Sequence, residues 1–516
     1  MIESELKITL DAPGLARLRR HPALAGMRRG PRSAETLVSV YYDTPDHALA
    51  AAGLSLRLRR TGRRWVQTVK RRAGGTAAGG FFSHRESERP APGGRLVLEG
   101  SDEDGALAEV EAAAAGAPLS PVFETRVRRT VEDLAAPGGD VVELALDEGE
   151  IRAGDGRVPI REAEIELKAG EVTALYVVAR TLFDRGPVRL AALNKAARGY
   201  RLARGEAEPG LAPRKAGSPP IEAGATVETV ARDVLRDCLG QIADNMAVVA
   251  ATAAEEGPHQ LRVGLRRLRT ALKVFGPSLG AAATVPLNAA ARDLGRVVGR
   301  LRDADVLISE VVGPVAALGL DDAARGALLA DLAATRNRVR SAVRAALAGP
   351  AAVGLVFDLG AFVEARGWLA PADYGQTARL AAPVEAVAPA LLERRWRRVR
   401  KAGRHIDRLD AHGLHELRKE LKKLRYAVDM LGPLWPETAV ESYVRALKEL
   451  QDGFGSLNDR SMAEAALAGS AAPAPRDPAA QRAVGWVLGV LTTRAAGERQ
   501  ALHDRWHRFR DAERFW

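Results

Sequence analysis

Glu3, Glu5 and Lys7 stand at alternate positions of the stretch Glu-Ser-Glu-Leu-Lys. On a strand, alternate side chains share one face, so neighbours in this set lie about 7 Å apart. Two carboxylates beside an ammonium can hold a divalent cation next to an anion. Five residues alone fit a solvated edge strand equally well. The pattern returns, however, at Glu162, Glu164, Glu166 and Lys168 in REAEIELKAG. Between the two copies, Arg57 and Arg59 alternate with Leu56 and Leu58, and Arg126 and Arg128 with Thr125 and Val127. Lys70 shares a face with Thr68, while Glu143 and Asp147 alternate with Val142, Leu144 and Leu146.

The elements that must position these groups read as strands over 2–10, 36–43, 53–60, 63–71, 82–88, 95–99, 122–133, 140–147, 150–153 and 160–168. Helical stretches are expected at 13–20, 45–51, 103–115 and 171–184. Short turns such as Thr61-Gly62 and Gly138-Gly139 make the first 200 residues mostly antiparallel β structure. Each strand has one apolar and one charged face, which a sandwich with its charges in water would also give. The signs segregate, with acids on the first strand, 143–147 and 162–166, and bases on 57–59, 70 and 126–128. A closed barrel with a charged lumen sets carboxylates for metal opposite arginines for phosphate oxygens.

At 516 residues the chain is long enough for two or more domains, each with its own core. An apolar content of 47% excludes disorder, and no apolar run is long enough for a membrane span. No apolar stretch follows the acidic N-terminus, so no secretory signal is expected. The single cysteine, Cys238, leaves no internal disulfide and points to the reducing cytoplasm. A net charge of +11, with 76 Lys and Arg, points to a polyanionic partner. Aromatics at 5% supply few stacking platforms, so neither nucleic acid nor membrane is the expected partner.

Residues 206–221 carry four prolines and no apolar period, which reads as a linker between domains at 1–205 and 222–516. Beyond it the pattern is helical and internally repeated. HQLRVGLRRLRTALKVF begins at His259 and HELRKELKKLRYAVDML begins 156 residues later at His415; Asp303 and Asp459 share that offset. On a helix His259, Arg262, Arg266, Arg269 and Lys273 form one stripe beside Leu261, Leu265, Leu268 and Leu272. The second copy sets His415, Arg418, Lys422 and Arg425 beside Leu417, Leu421 and Leu424. Further bases recur at Arg292, Arg296 and Arg300; at Arg336, Arg340 and Arg344; and at Arg394, Arg397, Lys401, Arg404 and Arg408. Stripes so poor in compensating acids repel one another and await an anion.

The first 200 residues resemble the CYTH family, the triphosphate tunnel metalloenzymes. The resemblance rests on Glu3-x-Glu5-x-Lys7, Tyr42-Asp43-Thr44-Pro45-Asp46, Leu56-Arg57-Leu58-Arg59, Lys70, Phe123-Glu124-Thr125-Arg126, Glu143, Asp147, Glu162, Glu164, Glu166 and the closing Asn194-Lys195-Ala196-Ala197-Arg198-Gly199-Tyr200. Asn194 stands where the family usually has Ser, and Ser87, between Glu86 and Glu88, where it has an acid. The later residues, with Leu-Arg-Asp-Ala-Asp at 301–305 and Leu-Asn-Asp at 457–459, resemble the CHAD family. The pair is similar to bacterial inorganic triphosphatases.

This resemblance implies an α+β multidomain protein: an antiparallel β-barrel tunnel followed by an all-α duplicated helical bundle. It implies hydrolysis of inorganic triphosphate to pyrophosphate and phosphate. Glu3, Glu5, Glu164 and Glu166 would hold Mg²⁺ or Mn²⁺. Glu3, Glu5, Lys7 and Lys70 would form the catalytic set, and Arg57, Arg59, Arg126, Arg128 and Lys195 would bind substrate. The two His-led stripes would bind inorganic polyphosphate, with an association with polyphosphate granules. A non-catalytic polyphosphate binder, a CYTH adenylyl cyclase and a thiamine triphosphatase are the alternatives.

Overall fold

The computed structural model describes residues 2–72, 79–99, 105–186, 188–208, 210–468 and 478–516. They form two compact units, residues 1–212 with 348–367, and residues 213–347 with 368–516.

The first unit is built on antiparallel strands: β1 (Ile2–Thr9), β2 (Ser33–Asp43), β3 (Leu54–Thr61), β4 (Arg64–Arg72), β5 (Phe81–Pro90), β6 (Ser120–Ala135), β7 (Val141–Ala153), β8 (Gly156–Ala169) and the two-residue β9 (Arg189–Leu190). Their order is β5-β4-β3-β2-β6-β7-β8-β1-β9, and β1 also pairs with β5, so eight strands close into a barrel. Residues 140–147 and 150–153 belong to one strand, β7, while 95–99 form none.

Around β1, β3, β4, β7 and β8 the barrel inverts the usual arrangement: the apolar faces point outward and are covered. Leu6, Ile8, Leu144, Leu146 and Ile165 are fully buried, and the helix Thr173–Leu182 packs on β1, β7 and β8. Leu56 and Val69 cluster with Val110 of the helix Ala106–Ala114. Asp43, fully buried, accepts hydrogen bonds from the backbone N–H of Thr44 (2.7 Å), Leu49 (2.9 Å) and Ala50 (3.0 Å). The Asp-Thr-Pro-Asp motif thus serves to fix the turn after β2.

The helix Pro350–Glu364, expected in the helical half, belongs to the first unit. Phe357 meets Phe183 with ring centroids 6.4 Å apart, and Asp358 pairs with Arg180. Gly360 permits the approach: a Cβ there would lie 2.4 Å from the Tyr176 ring.

The second unit is one helical motif built twice. Val227–Ala251, Glu256–Val274, Ala281–Val306 and Asp322–Leu347 correspond to Val384–Ala402, Ala411–Leu431, Glu437–Asp452 with Gly455–Leu467, and Pro478–Asp511. The duplication therefore extends well past the two motifs visible in the sequence. The copies meet at a reciprocal bridge: Val227 N–H donates to Ala382 O and Val384 N–H to Ala225 O, each at 2.9 Å. Leu261, Leu265, Leu268, Leu417, Leu421 and Leu424 are buried, as the helical period requires.

Much of the expected linker is structural. Arg214 reaches Asp237 and Asp244, both at 3.1 Å, and Gly217 O accepts from the buried Arg267 at 2.8 Å. Arg267 also donates to Asp237 at 2.7 Å and Gln241 at 3.0 Å, which compensates its burial. Among the described residues no single helix is long and apolar enough to cross a membrane.

Candidate active site and anion surface

The barrel encloses a cavity of about 980 Å³ to which all eight closing strands contribute side chains. Register sets them in rows. Glu5 of β1 lies opposite Glu166 of β8, which lies opposite Glu143 of β7. One row along, Lys7 lies opposite Glu164; further on, Glu162, Asp147 and Arg129 follow across β8, β7 and β6. On the far side Lys70 lies opposite Glu86, and Tyr41 opposite Arg57. The helix Lys195–Ala203 adds Lys195; Asn194 caps it, its Oδ1 accepting from Ala197 N–H at 2.8 Å. Asparagine is as good an N-cap as serine, so the departure from the family motif leaves the cap intact.

The acids divide by how fully they are neutralised. Glu164 pairs with Lys7, Arg129 and, at 2.7 Å, Lys195. Burial opposes its charge, but these three cations outweigh it and hold its pKa well below the carboxylate range. Asp147 is bound by Lys195 and Arg129, each at 2.7 Å, and Lys195 also pairs with Glu162. Asp147, Glu162 and Glu164 form a buried cluster of ligand-capable oxygens already matched by ammonium and guanidinium. Glu3 differs. Burial and a hydrogen bond with Glu86 push its pKa up to about 8, against the pull of Lys70 at 2.9 Å. Lys70 bridges Glu3 and Glu86, at 2.9 and 2.7 Å, and Arg57 takes Glu86 as well, so Glu3 is the less compensated of the two carboxylates. Nearby, Glu5 meets Lys7 at 3.0 Å and His84 at 3.6 Å, and burial pushes His84 down to about 4.

The bases divide likewise. Arg57 pairs with Glu86 at 3.0 Å, and Lys70 with Glu86 at 2.7 Å. Arg59 donates to Ser39 Oγ at 3.4 Å and, among the described residues, has no carboxylate within ion-pair distance. Burial, Arg57 and Arg129 lower its pKa to about 10. An enclosed guanidinium flanked by two more is a standing demand for an anion.

In the second unit the two stripes face one another. Burial, Arg266, Arg418 and Arg262 push Lys422 down to about 6. Burial and then Arg266 lower Arg418. Arg262 is restrained by Asp303 and by Gly299 O at 3.2 Å, and Arg266 lies 6.0 Å from the Tyr426 ring centroid. Lys273 is lowered by burial, Lys423 and Arg269, and Arg395 by burial, Arg398 and Arg394 to about 10. Burial lowers His259, with Arg302 and Arg266 adding to it; His415 is exposed.

Comparison with known proteins gives these two sites their context. The CYTH domain profile matches residues 1–200, and the CHAD domain profile matches 233–468. The chain carries a CYTH domain followed by a CHAD domain. A protein of Haemophilus influenzae named inorganic triphosphatase is 32% identical over 168 residues, 32% of this chain and 46% of its own length. The chain thus aligns with less than half of that relative. An uncharacterized protein of Mycobacterium tuberculosis is 28% identical over 435 residues, 77% of this chain and 76% of its own. The crystal structure of the CHAD domain from the plant Ricinus communis is 26% identical, covers 59% of this chain and 99% of its own, and has a TM-score of 0.48.

Within the CYTH lumen the structure brings together Glu3, Glu5, Lys7, Arg57, Arg59, Lys70, Glu164, Glu166 and Lys195. Arg126 and Arg128 are a correction: both are exposed on the outer face, where Arg126 pairs with Glu124. The luminal guanidinium of β6 is Arg129. The run Arg-Val-Arg-Arg offers bases at both parities, and the position opposite Asp147 identifies the inner one. Segregation of sign is only partial, since Lys7, Lys168 and Lys195 stand among the acids and Glu86 among the bases. Glu86 and Glu88 both line the cavity, as do His84 and Tyr41, which sequence reasoning had not placed.

In the CHAD domain Arg262, Arg266, Arg418 and Lys422 converge. Arg269 turns to Asn288 at 3.4 Å and Arg425 to Asp429 at 3.9 Å. The stripe at Arg336, Arg340 and Arg344 is not an anion site. Arg336 pairs with Glu255 at 3.0 Å, Arg340 with buried Asp305 at 3.2 Å, and Arg344 caps Val249 O at 3.0 Å.

Proposed function

We propose that the CYTH domain hydrolyses inorganic triphosphate to pyrophosphate and phosphate with a divalent cation, Mg²⁺ or Mn²⁺, and that the CHAD domain binds inorganic polyphosphate. The observation that carries the first part is Arg59, enclosed beside Arg57 and Arg129 and, among the described residues, without a carboxylate of its own. The name of the Haemophilus relative supports the same reading.

Arg57, Arg59 and Arg129, which line the cavity on β3 and β6, would take phosphate oxygens, with Lys70 and Lys7 at the edge of the acid wall. Their charge lets water approach a chain of phosphates that otherwise repels nucleophiles. Water bonds to a terminal phosphorus as the bridging P–O bond breaks, and pyrophosphate leaves. Glu3 and Glu5 fit a hard cation, because burial and the neighbouring Glu86 disfavour charge on Glu3 and a cation there would offset both. Glu166, opposite Glu5, completes this set, whereas Glu164 is engaged by Lys7, Lys195 and Arg129. Bound there, the cation would neutralise phosphate oxygens and polarise water.

For the CHAD domain, the support is the convergence of Arg262, Arg266, Arg418 and Lys422 from two equivalent helices. A flexible polyanion satisfies such a surface without stacking. The proposal also covers a cytoplasmic protein associated with polyphosphate granules.

The test is phosphate release from inorganic triphosphate, ATP, thiamine triphosphate and long polyphosphate with Mg²⁺, Mn²⁺ or EDTA, with Glu5→Gln as control. Metal-dependent turnover of inorganic triphosphate, lost in the variant, is expected. Tight polyphosphate binding without turnover of any substrate would leave a binding protein.

A further inference from the structure

A second cluster of ligand atoms lies in the CHAD domain, on elements that neither basic stripe uses. His503 and His507 are one helical turn apart on Pro478–Asp511, and Asp407 belongs to the short 3₁₀ turn Ile406–Arg408. His503 Nε2 is 3.1 Å from Asp407 Oδ1 and 3.1 Å from His507 Nε2. One ligand atom from each of the three residues lies within 4.8 Å of the others.

Proton counting shows what this convergence lacks. His503 Nε2 carries at most one hydrogen, which can point to the carboxylate or to the second imidazole but not to both. If it donates to Asp407, it has no lone pair to accept from His507. If it accepts from His507, its contact with Asp407 is lone pair against lone pair. His503 Nδ1 is buried without a hydrogen-bond partner among the described residues, with Asp504 Oδ1 in ion-pair range at 3.7 Å, so the other ring nitrogen does not take up the Nε2 contacts. A cation shared by both Nε2 atoms and the carboxylate removes it. Two nitrogens bound to one ion at about 2.1 Å stand roughly 3.0–3.4 Å apart, which brackets the observed spacing.

We propose that Asp407, His503 and His507 form a transition-metal site, distinct from the barrel lumen. Two imidazoles and one carboxylate select borderline ions such as Zn²⁺, Ni²⁺ or Co²⁺ rather than Mg²⁺. The site ties the last helix to the turn that leads into Ala411–Leu431, which carries the second basic stripe. Its parts are absent from the first repeat: the residues 156 positions earlier are Ala251, Leu347 and Ala351. Duplication of the helical motif therefore does not account for the cluster.

The test titrates the full chain with Co²⁺ alone and follows its visible absorption, with Zn²⁺ measured by competition against a chromophoric chelator. One equivalent with imidazole-type absorption is expected. Affinity should fall at least tenfold in His503→Ala and in His507→Ala, fall less in Asp407→Asn, and stay unchanged in His412→Ala. Identical titrations of the wild type and a His503→Ala/His507→Ala chain would overturn the site. Should a variant misfold, carbethoxylation of the wild-type chain mapped by mass spectrometry decides: Zn²⁺ should protect His503 and His507 but not His412 or His415. Equal modification with and without Zn²⁺ would overturn it as well.

Discussion

Lys422 gives the polyanion reading a quantitative consequence. Burial, and then Arg266, Arg418 and Arg262, push its ammonium down from 10.5 to about 6. At pH 8 the free protein therefore holds Lys422 mostly neutral, since each unit is tenfold. A bound polyanion faces the same side chain and restores the preference for charge, so binding takes up close to one proton. Affinity should then fall as pH rises above 6, by up to ~100-fold over two units, or ~2.7 kcal/mol. Solvent access and salt reduce this, and we expect roughly tenfold between pH 6.5 and 8.5. The sign for folding is separate: the native state binds fewer protons than the unfolded chain between pH 6 and 10.5, so this group makes the fold more stable as pH rises through that window. The assay is isothermal titration of long-chain polyphosphate into the full chain in two buffers of different ionisation heat. Lys422→Met in parallel cancels the titration of the ligand itself. Equal pH slopes and equal proton uptake for wild type and variant would refute the argument.

Other outcomes follow from the barrel. Arg59→Ala should lower kcat/KM for inorganic triphosphate by about 10²–10³, while Arg128→Ala, on the outer face, should change it less than twofold; steady-state kinetics on both separate the inner from the outer arginines. Mg²⁺ or Mn²⁺ at one hundred times its Kd should stabilise the barrel by about 2.7 kcal/mol, read as a raised Tm that EDTA abolishes and Glu5→Gln diminishes. Gly199→Ala should destabilise by about 1–3 kcal/mol in denaturant unfolding, because the added Cβ would meet the Phe123 ring at 2.1 Å.

The lumen was largely legible in the sequence because a strand has period two and the acids obey it without interruption at Glu3, Glu5, Glu162, Glu164 and Glu166. Legibility failed at β6, where Arg126, Arg128 and Arg129 offer both parities and only the pairing of Arg129 with Asp147 chooses between them. Cross-strand register is long-range information that a single strand does not hold. For the same reason the helical stripes announced themselves by spacing, but not which bases would face an anion. Arg340 looks like Arg266 in the sequence, yet it is spent on a buried aspartate. The helix Pro350–Glu364 shows the same limit, since its apolar composition demands burial without naming the surface that supplies it.

Closure of the barrel through β1 also governs how the site comes into being. β1 lies between β5 and β8, and its Lys7 meets Glu164, 157 residues further along the chain. Contacts of such sequence separation form slowly, since loop closure must precede their reward. During synthesis β1 can meet β5 once residue 90 has emerged, whereas its other partner, β8, emerges near the end of the domain. Before β7 and β8 arrive, the incomplete barrel thus holds Arg57 and Arg59 without Glu143, Asp147, Glu164 and Glu166, and the lumen is complete only with the last strands.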